Sequence, residues 1–491
     1  MAKNNFYVTT AIMYVNSKPH LGYALEVVLG DALARHHRTL GDDTFYLTGT
    51  DEHGTKIQKT AEEAGITPQE LADKNTELTR NLVKDLGADI DGFIRTTDEK
   101  NHWPAVEKIW KKIAQNGDLE KRKYKALYCV GCEAFLQPSE LVDGKCPIHG
   151  KEPEEVEEEN WFFKLSKYQT QLKDLIERDE IKVVPQSRKN EILAFIDRGL
   201  DDVSFSRDRD KLSWGVPVPG DETQTMYVWC DALTNYISAI GYAEETDEFK
   251  KYWPADVHII GKDILRFHAL YWPAMLLSAG LPTPKTIMVH GFINSGGKKM
   301  SKSTGNVIDP VEIIDKYGAE ALRYYLLRYI PTLDDGDFTL EHFDSVYKAD
   351  LSNDLGNLVQ RTISMINKYG LSKSDVDIEL EEGPFQHPDG TTIGDFDREV
   401  SEAVTDYNFS EALGLIWLFR AKMMNQLIDE KKPWELAKSN PDELKKVLGI
   451  CYWNLNSLSK FIAPFMPETA EKMKKQLETL SPEPLFPRIE E

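Results

Sequence analysis

The stretch FYVTTA, Phe6 to Ala11, followed by Pro19-His20-Leu21-Gly22-Tyr23, reads as a strand, a turn and the opening of a helix. β-Branched and aromatic residues crowd the first segment and suit a pleated, half-buried surface. Helical periodicity then runs from about Tyr23 to Arg38. The alternation recurs. Thr44 to Leu47 is a second β-prone run, ending in the loop Gly49-Thr50-Asp51-Glu52-His53-Gly54, and a helix opens at Thr67-Pro68. Asp256 to Ile260 leads through Gly261 into a helical pattern from Asp263 to about Ser278, and Thr286 to Val289 runs into His290-Gly291. Strands alternating with helices predict an α/β fold with a parallel sheet, whose ligands bind beyond the carboxyl ends of the strands.

The chain is long enough for several domains: 491 residues, 41% apolar and 29% charged, with a formal charge of −22. It has no apolar run of about 18 residues, which excludes a helical membrane span, and MAKNNFYVTT lacks the pattern of a secretory signal. Five cysteines, three of them close together, argue for a reducing compartment, the cytoplasm, and one metal site. Charge alone speaks against a polyanionic partner. Residues 116–225, with the acidic run Glu152 to Glu159, read as an insertion in the α/β domain. Beyond about 350 helical periodicity takes over, with Ala412, Leu415, Ile416, Phe419 and Met423 as a predicted buried face and Ser372 to Asp395 as a polar loop.

Two ligand pairs stand in the insertion. Cys129-Val-Gly-Cys132 is followed, after 13 residues, by Cys146-Pro-Ile-His149. Such pairs wrap a tetrahedral ion from two tight turns, and Gly131 and Gly144 supply permissive backbone. This pairing favours one structural zinc over three buried thiols and a surface histidine. Protein would fill all four positions, so no place remains for a catalytic water. Cys230 and Cys451 stand alone and read as buried thiols.

Phosphate-handling chemistry is suggested twice. At His20-Leu21-Gly22, a helix N-terminus offers N–H donors, Gly22 allows close approach, and His20 can donate to a phosphate. Gly296-Gly297-Lys298-Lys299-Met300-Ser301-Lys302-Ser303-Thr304-Gly305 reads as a pliable loop whose lysines suit charge developing on a phosphoryl group.

Lys299 to Ser303 is a full match to the KMSKS motif of class I aminoacyl-tRNA synthetases, and His20 to Tyr23 resembles their HIGH motif. The resemblance covers nearly the whole chain and is greatest to the methionyl-tRNA synthetases. Supporting stretches are Thr50 to Gly54, Tyr227-Val-Trp-Cys-Asp-Ala232, Ile260-Gly-Lys-Asp263 and Val289-His-Gly-Phe292, and the short insertion leaves no room for a large editing domain. It implies a Rossmann-like catalytic domain split into residues 1–115 and 226–325, the zinc-knuckle connective insertion 116–225, a connecting element 326–350 and a helical anticodon-binding bundle 351–491. The implied reaction joins L-methionine to ATP, giving methionyl-adenylate and pyrophosphate, then passes the methionyl group to the terminal adenosine of tRNA. His20, Lys299 and Lys302 would stabilise the transition state, and Gly22, Tyr23, Glu26, Gly261, Asp263 and Ile293 would line the site of ATP, which carries Mg²⁺. The family usually has a second histidine where this chain has Tyr23, which shifts the expected burden onto His20 and the lysines.

Trp229, Ala232, Leu233 and Tyr236 fall at helical spacing, as do Ile264 and His268. Spacing alone reads as core packing. The resemblance places all six in the methionine pocket, completed by Ala11, Ile12, Tyr14 and Asp51, with Asp51 facing the ammonium. It likewise assigns Asn357, Arg361 and Trp434 to reading the CAU anticodon. A nucleotidyltransferase would share the first motif without needing the bundle; a binding-only relative would have lost the lysines or Asp51. The chain stops soon after the bundle, and a monomer is the expectation. Residues 350–491 carry 16 Lys/Arg against 25 Asp/Glu, a net −9, so RNA contact must rest on local patches rather than on overall charge.

Overall fold

The computed structural model describes residues 4–136, 140–148, 150–299, 308–378 and 393–489. They form two compact units: Met1–Pro19, Gly41–Lys84 and Asp89–His290 in the first, and His20–Leu40, Asp85–Ala88 and Gly291–Glu491 in the second.

The first unit is organised by a sheet of seven strands: β1 (Asn5–Thr10), β2 (Met13–Tyr14), β3 (Asp43–Asp51), β4 (Gly92–Arg95), β5 (Lys182–Val184), β6 (Val257–Gly261) and β7 (Thr286–His290). Every pairing is parallel. Leu47 faces both Thr9 and Gly92, and Thr50 faces both Met13 and Arg95, so β1 and β2 share one edge of β3 while β4 holds the other. On its far side β1 pairs with β6, followed by β7 and β5. The strand order therefore reverses at β1, and the crevice beyond the ends of β1 and β6 is the place where such sheets bind ligands. Phe6 to Thr10 are all buried. That is why FYVTT is a continuous run with no polar face: a parallel strand is covered on both sides.

Two predicted helices are irregular, each for a local reason. Asp263 to Ser278 lies in one unbroken helical run that opens as a 3₁₀ turn (Lys262–Ile264) and widens to a π turn (Phe267–Tyr271) before the α-helix Trp272–Ala279. Pro273 has no N–H to offer the preceding turn and its ring crowds that turn's carbonyl, so the register widens ahead of it. Val228–Leu233 and Asn235–Ser238 are separate segments, and at the break the Thr234 hydroxyl donates to the Cys230 carbonyl at 2.9 Å.

Residues 116–225 contribute antiparallel sheets of their own, and from within them β5 returns to the edge of the large sheet. Leu119–Cys129 pairs along its length with Glu154–Phe163, which sets Lys123 opposite Glu159 and Lys125 opposite Glu157. The acidic run is thus the cross-strand complement of a basic strand, and this ladder carries Cys129 to its end.

In the second unit, helix Leu21–Leu40 is tied to helix Ala319–Arg328 by a fully buried ion pair, Arg323 to Asp31 at 2.6 Å. Arg323 also donates to the carbonyls of Phe465 (2.8 Å) and Leu86 (3.3 Å). Apart from a small sheet of Ile293–Ser295, Lys298–Lys299 and Gly336–Asp337, the described remainder is mainly helical, up to Pro441–Ile462 and Pro467–Thr479. The expected buried face is displaced by about one residue: Ala412, Leu413, Ile416, Trp417, Ala421, Met424 and Ile428 are buried, whereas Leu415, Phe419 and Met423 are half-buried. A π segment, Trp417–Lys422, turns the helix face at this point. Of the expected polar loop, Lys373–Val376 forms a short helix closed by a Ser372/Asp375 capping box, helix Ile393–Thr405 begins before the loop's expected end, and residues 379–392 lie outside the described set. Among the described residues no helix is long and apolar enough to cross a membrane.

The buried pair yields a stability prediction. Arg323→Met removes the buried guanidinium from Asp31, which Arg35 also pairs with at 2.9 Å, and should cost about 3–5 kcal/mol in denaturant unfolding. Asp31→Leu in the same chain should recover much of that loss.

Candidate active site

At the carboxyl end of β3, Asp51 sits in register with Tyr14 of β2. The Asp51 carboxylate is 7% exposed, and its Oδ1 has no hydrogen-bond partner among the described residues. Burial raises its pKa well above the usual carboxylate range, the charges of Asp231 and Glu133 push it further, and a backbone N–H from His53 offsets only part of this. An acceptor so placed is poised for a cation. Glu52, the next residue, is satisfied instead: Arg95 (2.8 and 2.9 Å), Thr50 (2.6 Å), Thr76 (2.6 Å) and Thr97 all donate to it. Burial opposes its ionisation, but these donors hold its pKa below the usual value.

An aromatic wall stands in the same unit. Ala11, Leu233 and Tyr236 belong to one buried cluster, with Ile12, Trp229 and Ile264 packed against it. Trp229 stacks on Phe267 with centroids 3.8 Å apart, and its Nε1 is buried without a partner among the described residues. His268 Nδ1 lies 3.0 Å from the Ile264 carbonyl, which can only accept, so Nδ1 carries the proton and Nε2 accepts from the Tyr236 hydroxyl at 2.7 Å. Burial lowers the His268 pKa to about 4, which keeps the ring neutral. Ile264 packs against this cluster, and His268 bonds to the Tyr236 within it. Ala232 is buried on the same short helix. Thus the ten positions expected around methionine all fall in the first unit.

Sequence reading missed the group that organises this floor. Asp231, 1% exposed, receives His53 Nδ1 at 2.6 Å and His102 Nε2 at 2.8 Å, while His102 Nδ1 lies 2.8 Å from Ser238 Oγ. Burial would raise the Asp231 pKa, but the two imidazoles hold it below the usual range. His53 and Asp231 were present in the quoted stretches Thr50–Gly54 and Tyr227–Ala232, but nothing in their spacing announced a partnership across 178 residues.

The thiols of Cys129, Cys132 and Cys146 lie within 4.8 Å of one another, with Cys132 and Cys146 sulfurs 3.5 Å apart. Burial and the neighbouring thiols raise the pKa of Cys132. Three convergent soft donors fit a zinc knuckle; His149 lies outside the described residues. Cys230 and Cys451 are buried thiols, as expected.

In the second unit His20 immediately precedes helix Leu21–Leu40, and its Nδ1 accepts from the Gly22 N–H at 3.1 Å. In the neutral ring the proton then sits on Nε2, on an exposed side chain. A Cβ on Gly22 would press on the imidazole at 3.1 Å, so the glycine leaves the ring room to cap the helix. Tyr23, Glu26 and Ile293 are buried in this unit, and Gly261 and Asp263 belong to the other. Gly296 and Gly297, expected to loosen the lysine loop, instead close a tight hairpin at positive φ, pairing Ile293–Ser295 with Lys298–Lys299. Lys302 and the Lys299 side chain lie outside the described residues. Farther on, Asn357 is exposed, Arg361 pairs with Asp429 at 2.9 Å, and Trp434 is 42% exposed after the left-handed Lys432.

The chain matches the family profile "tRNA synthetases class I (M)" over residues 6–153 and 131–363, and "Anticodon-binding domain of tRNA ligase" over 393–489. It is 42% identical to the methionine–tRNA ligase of Brucella suis, over 100% of this chain and 99% of that one. With the enzyme of Clostridium acetobutylicum identity is 45%, over 97% of this chain and 73% of that one. A Mycobacterium tuberculosis methionyl-tRNA synthetase solved with methionyl-adenylate superposes with a TM-score of 0.91 at 36% identity, covering 99% of this chain and 100% of that one. The chain belongs to the methionyl-tRNA synthetase family. Within that family's frame, Asn357 and Arg361 fall in the segment matched by the catalytic profile, and only Trp434 falls in the anticodon-binding match.

For this methionyl-tRNA synthetase family member the neutral His268 makes a pH prediction. Its folded pKa, about 4, is below the ordinary 6.5, so the unfolded chain takes up the proton first. Stability contributed above 6.5 is therefore lost as pH falls toward 4, by on the order of 3 kcal/mol. Thermal unfolding of wild type and His268→Gln across that range should converge on acidification; parallel curves would exonerate the imidazole.

Proposed function

We propose that this chain joins L-methionine to ATP and then to tRNA through the residues assembled above. The observation that carries the reading is Asp51: a buried carboxylate with a partnerless oxygen at the end of β3, in a chain of this family. A methionine ammonium would supply the missing charge and draw the raised Asp51 pKa back down. Ala11, Ile12, Tyr14, Trp229, Ala232, Leu233, Tyr236, Ile264 and His268 would enclose the side chain, offering an aromatic surface to the thioether.

The α-carboxylate of methionine is already an anion and needs no base. One of its oxygens forms a bond to the α-phosphorus of ATP as the bond from that phosphorus to the pyrophosphate oxygen breaks. The new charge spreads over phosphate oxygens and the departing pyrophosphate, so catalysis is positioning and electrostatics. His20, its Nδ1 engaged by the helix, would present Nε2–H, and the helix N-terminus adds its dipole. Lys299 and Lys302 would meet the pyrophosphate, and Gly22, Tyr23, Glu26, Gly261, Asp263 and Ile293 would hold the nucleotide, delivered with Mg²⁺. In the second step a ribose hydroxyl of the terminal adenosine attacks the methionyl carbonyl and AMP leaves. Asn357, Arg361 and Trp434 would read the CAU anticodon by hydrogen bonding and stacking.

We assign Cys129, Cys132, Cys146 and His149 to one zinc, which when bound would cross-link the two turns of the knuckle. The division proposed is 1–115, 116–225, 226–325, 326–350 and 351–491, in a monomer of the cytoplasm.

Methionine-dependent exchange of pyrophosphate into ATP tests the reading. Asp51→Asn should raise the methionine KM by about a hundredfold or more, the loss of a buried charge pair, while Lys302→Ala should depress kcat with methionine KM nearly unchanged. Exchange that proceeds without methionine would refute it. Metal analysis should give about one zinc per chain, the stoichiometry of a four-ligand knuckle, and Cys129→Ser should release it and lower the melting temperature.

A further inference from the structure

Glu133 follows Cys132 directly, yet its side chain belongs to another part of the first unit. It is 5% exposed and adopts φ +49°, a left-handed conformation that costs a non-glycine residue free energy and is kept where surroundings demand it. Its Oε1 accepts from the Tyr14 hydroxyl at 2.9 Å and from the Lys56 backbone N–H at 2.6 Å. Its Oε2 accepts from the Tyr128 hydroxyl, and its main-chain carbonyl from the Tyr227 hydroxyl. Gly54, at φ +110°, completes the arrangement: a Cβ there would stand 2.8 Å from the Tyr14 oxygen and 3.0 Å from Glu133 Oε1. Helix Thr55–Ala64 has no side-chain cap of its own at Gly54, so the carboxylate also serves its second N–H. A left-handed residue, an obligate glycine and three donors all converge on one carboxylate, and one of those donors is the phenol in register with Asp51.

We infer that Glu133 is the positioning residue for Tyr14: reaching out of the cysteine loop, it fixes the phenol at the edge of the methionine pocket, and so ties the shape of that pocket to the fold of the knuckle. The inference rests on the assignment of Asp51 and Tyr14 to methionine. With its proton donated to Glu133, the Tyr14 hydroxyl keeps its lone pairs facing the site and its ring in one orientation beside the partnerless Asp51 oxygen. A role confined to capping helix Thr55–Ala64 would make the effect of replacing Glu133 independent of Tyr14.

The test is a double-mutant cycle on the full chain, read as methionine KM, ATP KM, metal content and melting temperature. Glu133→Asp keeps the charge but withdraws it by one methylene; Glu133→Gln keeps reach and an acceptor oxygen. Glu133→Asp should raise methionine KM about tenfold, as expected for one hydrogen bond, with ATP KM, metal content and melting temperature near wild type. Glu133→Gln should stay within about threefold, because the acceptor survives. On a Tyr14→Phe background, which has already lost the bond, Glu133→Asp should add little. Equal effects of Glu133→Asp on both backgrounds, or a silent Glu133→Asp where Tyr14→Phe raises methionine KM, would overturn the inference alone. Should Tyr14→Phe itself leave methionine KM unchanged, the pocket assignment and the inference fall together.

Discussion

The parallel pairing of β1 with β6 is the constraint from which the first unit follows. Val8 to Thr10 bond to Val257 to Ile259, so strands nearly 250 residues apart in sequence lie side by side in the same direction. Parallel neighbours cannot be joined by a tight turn. The intervening chain must travel around the sheet, and that detour accommodates the antiparallel insertion and its cysteines. The same pairing brings the ends of β1, β3, β6 and β7 to one edge, because parallel strands all finish on the same side. Ala11, Asp51, Gly261 and His290 arrive there as a consequence of hydrogen-bond direction, before any side-chain contact is considered.

Electrostatics then distinguishes among the acids gathered near that edge. Glu52 is surrounded by donors and Arg95, and Asp231 is gripped by two imidazoles. Both have their pKa lowered despite burial. Asp51 alone of the three is raised, with an oxygen left over. A low-dielectric interior makes an uncompensated charge expensive, so satisfying two neighbours and not the third concentrates the demand for a cation at one atom. The exposed demand at Asp51 is thus a property of the whole acidic set, in which Arg95 and the two imidazoles satisfy its neighbours.

How much of this is legible in the chain depends on whether the controlling contact is local. FYVTTA, the helix after His20, the Thr67-Pro68 start and the paired cysteines declare themselves, because each depends on residues a few positions apart. The Thr67 N-terminus even builds the reciprocal capping bonds with Glu70 that its sequence suggests. The return of β5 to the large sheet, the Asp231 clamp and the Glu133 carboxylate are not announced, since their partners are separated by roughly a hundred residues or more. The widened helix at Phe267–Tyr271 and the rotated face near Trp417 are a third kind of failure. There the periodicity was right over one turn and wrong over three, because a π turn adds a residue that a constant 3.6 repeat does not carry.

The same distinction resolves the acidity of the helical region. A net −9 over residues 350–491 would repel a polyanion if charge acted as a uniform field, but at physiological salt it acts over about 8 Å. Within that range the relevant quantity is the arrangement of a few groups. Arg361 is held by Asp429 at 2.9 Å, and Trp434 is exposed beyond the Lys432 bend. Half-exposed, that pair is worth little to stability. Unpaired bases are recognised by stacking and hydrogen bonding on a few flat groups as well as through phosphate charge, and the overall charge of −22 is compatible with a partner made of phosphate.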